Sequence, residues 1–537
     1  MTKVKHIILL IIGIIFLAAG WKFALIISDV FPFNSDEAIV GLMARHIIEG
    51  EHPIFFYGQA YMGSLDAYLV AIGFKLFGHE VWVIRIIQTV LYICTILTTI
   101  WIGKKINRIE VGLVAGVLLS IPTVNTTLYT TVSLGGYGEA LLIGNIIIII
   151  TLQILQRIKE NKTNGNLLST WQFVLLGFFI GFGGWVHGIT LVYSVPALLL
   201  ILFYGYKAHK RLVSIIRMGL LLMAGVGIGS LPIWIYGMAN GLQFVFQELM
   251  GSAVAVEGGS YIHRVLSHLL NFILLGIPVL LGLRPPWEVR WLGLPIIPLI
   301  LLFWALVCGF TLSQVKNKHS PPGLYLLIGI CFTMIIGFLF TSFGVDPSGR
   351  YYLPLVIPLS LMAAGWLHHV NLSLIAKGAI LFLLVFFNVW GTIDCARRNP
   401  PGITTQFDAV TQIDHAFDQE LIDFLLAHGE TTGYSNYWVA YPLIFNSGET
   451  LIFVPRMPYH QDFRYTSRDD RYAHYTELVN ANSQVAYVTT NHAELDEYLR
   501  AKFRDHQMTW LEEKIGDYQV FYGLSEPLRP QMIGLGQ

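Results

Sequence analysis

The sequence predicts a polytopic α-helical membrane protein with a small α/β soluble domain at its C-terminal end. Three observations predict it. Over half of the residues (54%) are hydrophobic and only 13% are charged, a balance no ordinary soluble protein shows. Apolar runs of about the twenty residues a bilayer demands recur from the N-terminus to Trp390. After Trp390 the composition becomes mixed and short strand patterns replace the long runs. Net charge is zero, so nothing in the charge balance suggests nucleic acid as a partner. Cys94, Cys308, Cys331 and Cys395 are scattered, three of them in apolar runs. They form neither a disulfide framework nor a metal-ligand spacing.

The elements follow in order. Met1-Thr-Lys-Val-Lys-His6 precedes an apolar run to about Ile27. That run is too long for a signal peptide and reads as an uncleaved first helix with its basic end in the cytoplasm. Further spans are expected at about 80–102, 110–130, 139–156, 170–187, 188–206, 214–237, 291–312, 322–342, 352–369 and 374–394, about eleven in all. Basic clusters at Lys104, Lys105 and Arg108, at Arg157, Lys159 and Lys162, and at Lys207, Lys210 and Arg211 fall on alternate loops. The positive-inside rule then turns the loops 30–79, 131–138 and 238–265 outward.

Leu266–Leu283 is apolar enough to span. Counting it, however, would put Lys316 and Lys318 outside and Gly349-Arg350-Tyr351 inside. With Gly276, Pro278 and Arg284-Pro-Pro-Trp287 it reads as a broken or interfacial helix beside a groove for a lipid tail. Residues 1–395 then form the membrane domain and 396–537 the soluble one. In the latter, helices are expected at Phe417–His428 and Ala493–Phe503 and strands at Leu451–Pro455, Val485–Thr489 and Tyr518–Tyr522. An odd number of spans places that domain outside the cytoplasm.

The chemistry concentrates in the first outer loop. Asn34-Ser-Asp-Glu-Ala-Ile-Val-Gly-Leu-Met-Ala-Arg45 follows the first span and has amphipathic helical spacing. Asp36 and Glu37 thus sit at a helix N-terminus at the membrane edge, where two carboxylates need cations, a ligand or a polar cavity. Capping of the helix is the plainer explanation of the same residues.

This Asp-Glu pair, the amphipathic helix and the turn Gly58-Gln-Ala-Tyr-Met-Gly63 together resemble membrane glycosyltransferases of the GT-C superfamily, in its protein-O-mannosyltransferase-like branch. The resemblance extends over roughly the first two-thirds of the chain by the order of its segments. It implies a polyprenyl-phosphate-linked sugar donor, a catalytic Asp in the first outer loop, and an extracytoplasmic acceptor that is a protein, a lipid or a glycan. It also implies a plasma (inner) membrane location with the active site outside. Some members use a divalent metal; no ligand spacing here speaks to it, and the cofactor stays open.

The reaction needs a base for the acceptor hydroxyl and cations for the phosphate. Asp36 is the expected base, with Glu37 as support. Ser348-Gly-Arg-Tyr-Tyr-Leu-Pro354 resembles the Arg-Tyr-x-x-Pro motif of such transferases, which offers Arg350 and Tyr351 for the donor phosphate; snorkelling and an aromatic belt compete with that role. Arg85, inside a span, marks a polar cavity and is a second phosphate candidate. Tyr57, Gln59, Tyr61, Asp66, Glu139 at the end of Ser133-Leu-Gly-Gly-Tyr-Gly-Glu139, and His187 are the sugar or acceptor candidates. Asp66 and Glu139 also suit helix starts, and His187 a structural role. A transporter or flippase for a polyprenyl-linked lipid is the alternative function, but it would place its charges near the midplane in repeated halves.

Overall fold

The computed structural model describes residues 2–164, 171–209, 212–248, 259–317, 320–398 and 402–536. Lys210, Arg211 and Lys318 of the expected basic loops lie outside the described residues, as does part of the loop 238–265. The fold is mostly helical, and the chain is an integral, multi-pass membrane protein. Among the described residues nine helices are long and apolar enough to cross a membrane: Val4–Ile27, Val81–Ile106, Tyr137–Glu160, Gly188–Lys207, Tyr261–Leu280, Leu294–Val315, Pro322–Phe340, Arg350–His369 and Leu374–Ala396. The helices Ile215–Gly229 and Leu231–Asn240 meet at a 60° bend and make a tenth if counted as one span.

Three stretches differ from the pattern expected of them. The span expected at 170–187 is only the 16-residue helix Trp171–Val186, which is not among the nine. Residues 110–130 do not form one span. A helix Ile109–Ser120 stops before Pro122, and a second, Val124–Tyr129, starts at the Thr123 cap with Asn125, Thr126 and Thr127 buried. Proline cannot donate to the preceding turn, so the ladder breaks there. The stretch expected to be interfacial is instead, by length and composition, one of the nine long helices. It is irregular as foreseen: Tyr261–Asn271 passes through a π-helical turn, Phe272–Gly276, before Ile277–Leu280. Pro278 supplies no donor, and Gly276 leaves room for the ring of Tyr352.

Close helix contact in the membrane unit relies on small residues and buried polar groups. A Cβ at Gly177 or Gly181 would strike the backbone at Leu222 or Val226, and one at Gly225 or Gly229 that at Val174 or Phe178. The helices Trp171–Val186 and Leu212–Gly229 therefore pack backbone to backbone, as glycines four apart permit. Asn145 Nδ2 donates to the Thr95 carbonyl at 3.0 Å and to Thr98 and Thr99 Oγ1, each at 2.9 Å. Such bonds are worth about 1 kcal/mol each in a bilayer.

The chain divides into two compact units. One comprises residues 1–28, 60–66 and 85–395; the other 29–59, 67–84 and 396–537. The second unit contains a five-stranded mixed sheet with the spatial order Ile452–Pro455, Thr432–Ser435, Ala486–Thr490, Tyr518–Tyr522 and Leu511–Ile515. The first three strands are parallel, and the last two pair antiparallel. Leu421, Leu425, Leu443, Phe453, Val488 and Val520 form its core. The three expected strands and both expected helices are present within a residue or two. Thr432–Ser435 and Leu511–Ile515 were not expected: the first is too short to alternate, and the second, Leu-Glu-Glu-Lys-Ile, is charged and exposed at the sheet edge.

Candidate functional site

Helix Ser35–Glu49 is built from its cap. The Asn34 side chain accepts from the Glu37 amide at 3.1 Å, and Gly50 ends the helix in the left-handed region. The helix N-terminus therefore carries two acids on different footings. Glu37 is fully buried, whereas Asp36 is only half-buried. Oδ1 of Asp36 accepts from the Tyr437 hydroxyl at 2.6 Å, and Ser35 Oγ donates to the Tyr437 carbonyl. Burial and the Asp36 charge hold the Tyr437 phenol well above its ordinary pKa, so it remains a donor. The Arg471 guanidinium lies 5.4 Å from the Tyr437 ring centroid. With the Gln59 amide turned so that its oxygen faces Arg471, that oxygen accepts from Nη2 at 2.7 Å. Gly58, at φ +68°, lets the turn approach the Arg471 backbone, which a Cβ would meet at 3.1 Å.

Tyr437, Arg471 and the buried Asp469 are the residues that sequence reasoning missed here. The Asp469 carboxyl is pushed up to about 7, first by burial and further by the Asp36 charge, with Arg471 opposing. No local motif announces them, because they join the loop only through contacts some four hundred residues apart in sequence. Tyr57 and Arg45 have partners of their own. Tyr57 donates to Glu51 Oε2 at 2.6 Å, lies 2.9 Å from His46 Nδ1 and stacks on Tyr472 with centroids 4.5 Å apart. Arg45, in the last turns of the same helix, donates to the Phe445 carbonyl at 2.9 Å and stacks on its ring at 3.9 Å.

The membrane unit holds the remaining candidates in two groups. In the first, Asp66 and Glu139 face one another, both buried. Asp66 accepts from Gln88 Nε2 at 2.8 Å, from Ser133 Oγ and from the Gly136 amide. Burial raises the Asp66 pKa in spite of these donors. Glu139 opens helix Tyr137–Asn164, and its carboxyl meets that of Asp66. Gly135 and Gly136 turn the chain at φ +75° and +86°, next to the Ser133 that meets Asp66.

In the second group Arg350 pairs with Asp346, Nη2 to Oδ2 at 2.6 Å, and stacks on Tyr351 at 5.1 Å; its Nε has no partner. Tyr137 packs on His187, ring centroids 4.5 Å apart, and Tyr61 shares the electrostatic surroundings of Tyr137 and Tyr351. Arg284, from the Arg-Pro-Pro-Trp run, is buried and donates to five carbonyls, among them Pro347 at 3.2 Å. It thereby fixes the loop that presents Arg350. Arg85 is buried in helix Val81–Ile106. Lys22, in the first helix, is buried too, and donates to the Thr130 carbonyl at 2.6 Å and the Thr131 hydroxyl at 2.7 Å. A lone charge inside a span was its signal in the sequence. Among the described residues no group of three His, Cys, Asp or Glu side chains is set to hold a metal ion.

No family model and no curated sequence matches the chain. Solved structures do match its fold. ArnT from Cupriavidus metallidurans bound to undecaprenyl phosphate aligns over 97% of this chain and 98% of its own, with 11% identity and a TM-score of 0.60. The oligosaccharyltransferase AglB from Archaeoglobus fulgidus, in complex with an inhibitory peptide and a dolichol-phosphate, aligns over 98% of this chain and 74% of its own, with 12% identity and a TM-score of 0.51. The chain thus shares the fold of these two structures. These two structures do not single out the protein-O-mannosyltransferase-like branch.

Proposed function

We propose that the protein is a membrane glycosyltransferase that moves a sugar from a polyprenyl-phosphate donor to an extracytoplasmic acceptor, with inversion and with Asp36 as general base. The observation that carries this reading is the likeness of fold, along nearly the whole chain, to the ArnT structure that holds undecaprenyl phosphate. The chemistry of the side chains agrees with it. Tyr437 fixes Oδ1 of Asp36, so Oδ2 is the atom that takes the acceptor proton. The acceptor oxygen attacks the anomeric carbon, the bond from that carbon to the phosphate oxygen breaks, and the electron pair leaves with the phosphate. A phosphate monoester needs no general acid. What it needs is a cation fixed in advance at its oxygens, and Arg350 supplies one. Glu139 receives sugar hydroxyls, and Asp66, whose carboxyl it meets, holds it in place.

The lipid tail lies in an apolar cleft in the membrane unit, lined by Leu118, Leu280, Leu281, Phe303, Trp304 and Phe387 among others. Leu280 and Leu281 belong to the irregular helix from which the sequence suggested such a groove. The direct test is transfer. Purified protein is incubated with labelled undecaprenyl-phosphate sugars and membrane extract. Label is expected to move to an acceptor fraction while undecaprenyl phosphate is released. Intact donor crossing the bilayer without release would favour the flippase instead.

The active site and the C-terminal domain face out of the cytoplasm, across the plasma membrane. His52 and Lys104 are exposed and fall on opposite sides in this arrangement. In a background lacking the native cysteines, His52→Cys is expected to react with an impermeant maleimide on intact cells, and Lys104→Cys only after permeabilisation. The reverse pattern would overturn the orientation.

A further inference from the structure

His187 sits where the chain leaves helix Trp171–Val186, and it caps a single 3-10 turn, Gly188–Thr190. Its Nδ1 accepts from the Ile189 amide at 3.1 Å. A nitrogen that accepts a hydrogen bond carries no proton, so the ring is neutral and the hydrogen is on Nε2. Nε2 is buried and has no partner, and the residue is only 4% exposed. Burial, with the Arg350 charge adding to it, pushes the imidazole down to about 3. The surroundings are cationic and aromatic: Arg350, with its own unpartnered Nε, and Tyr137 against the ring. A buried donor left unpaired is unfavourable unless a ligand meets it. A lone donor that feels the charge of an arginine suits an anion.

We propose that His187 is a neutral N–H donor to the phosphate of the lipid-linked substrate, acting beside Arg350. This rests on the glycosyltransferase reading above and adds a phosphate ligand to it. His187 neither accepts nor releases a proton in the reaction. Its part is to place one hydrogen bond on an oxygen of the leaving phosphate, while Nδ1 is held by the Gly188–Thr190 turn.

The full-length protein in lipid nanodiscs tests this with two probes, undecaprenyl phosphate and undecaprenol, which differ only in the phosphate. Wild type is expected to prefer undecaprenyl phosphate. His187→Phe keeps a planar ring without the donor and is expected to lose about tenfold of that preference, the worth of one hydrogen bond to a charged group. His187→Gln, which returns an N–H at similar reach, is expected to recover most of it. An unchanged preference in His187→Phe overturns the proposal, and so does an equal loss of both lipids, which marks a structural residue. If wild type shows no preference for the phosphate, the lipid-phosphate reading itself fails. If Arg350→Ala loses the preference and His187→Phe keeps it, only the role of His187 fails.

Discussion

Asp36→Asn is expected to lower sugar transfer by roughly two to four orders of magnitude, the usual worth of a general base, while binding of undecaprenyl phosphate stays within about twofold. The substitution keeps the size of the side chain and an oxygen for the Tyr437 hydroxyl, but the amide cannot take a proton at working pH. Glu37→Gln is expected to cost much less in turnover, because Glu37 is fully buried beneath the helix N-terminus. Tyr437→Phe gives a graded arm. It removes the 2.6 Å bond to Oδ1 and leaves the carboxylate basic but free to turn. Its expected effect is about tenfold in kcat with little change in donor KM. Near-normal turnover in Asp36→Asn, with loss in Glu37→Gln, would move the base by one residue. Near-normal turnover in both would shift attention to Glu139.

Arg350→Ala is expected to weaken undecaprenyl phosphate binding by roughly ten- to a hundredfold, from loss of charge-assisted hydrogen bonds worth about 1.5–3 kcal/mol. A second effect acts in the same direction. Asp346 is left without its cation at a site where its side chain is only 19% exposed, and its charge then repels the phosphate. Arg350→Lys keeps the charge but loses the planar fork, so an intermediate loss is expected. Asp346→Asn combined with Arg350→Ala separates the two contributions, and partial recovery in the double variant would measure the repulsion. Wild-type binding by both Arg350→Ala and Arg350→Lys would make Arg350 an interfacial anchor.

The sequence by itself determined the membrane class, because the bilayer imposes one length and one polarity on every crossing and both are local properties of the chain. Eight of the nine long apolar helices among the described residues, the Asn34 cap that starts the Asp36 helix, and three of the five strands follow from spacing alone. It also pointed to Asp36, Glu139, His187 and Arg350, since charge at a membrane edge is conspicuous wherever it falls. Local pattern failed where two readings had similar hydrophobicity. Pro122 divides the stretch 110–130, and Tyr261–Leu280 is long enough to cross in spite of Pro278.

Only the tertiary structure decided which of these residues touch. It grouped the first loop with the C-terminal residues, giving Asp36 its tyrosine, Gln59 its arginine and Phe445 its cation–π partner Arg45. It set Glu139 against Asp66, and Arg350 against Asp346 rather than in open headgroups. Hydrogen bonds and ion pairs act over about 3 Å, while the partners lie up to four hundred residues apart along the chain. Periodicity reports which face of a helix is apolar; it holds no information on what the polar face will meet.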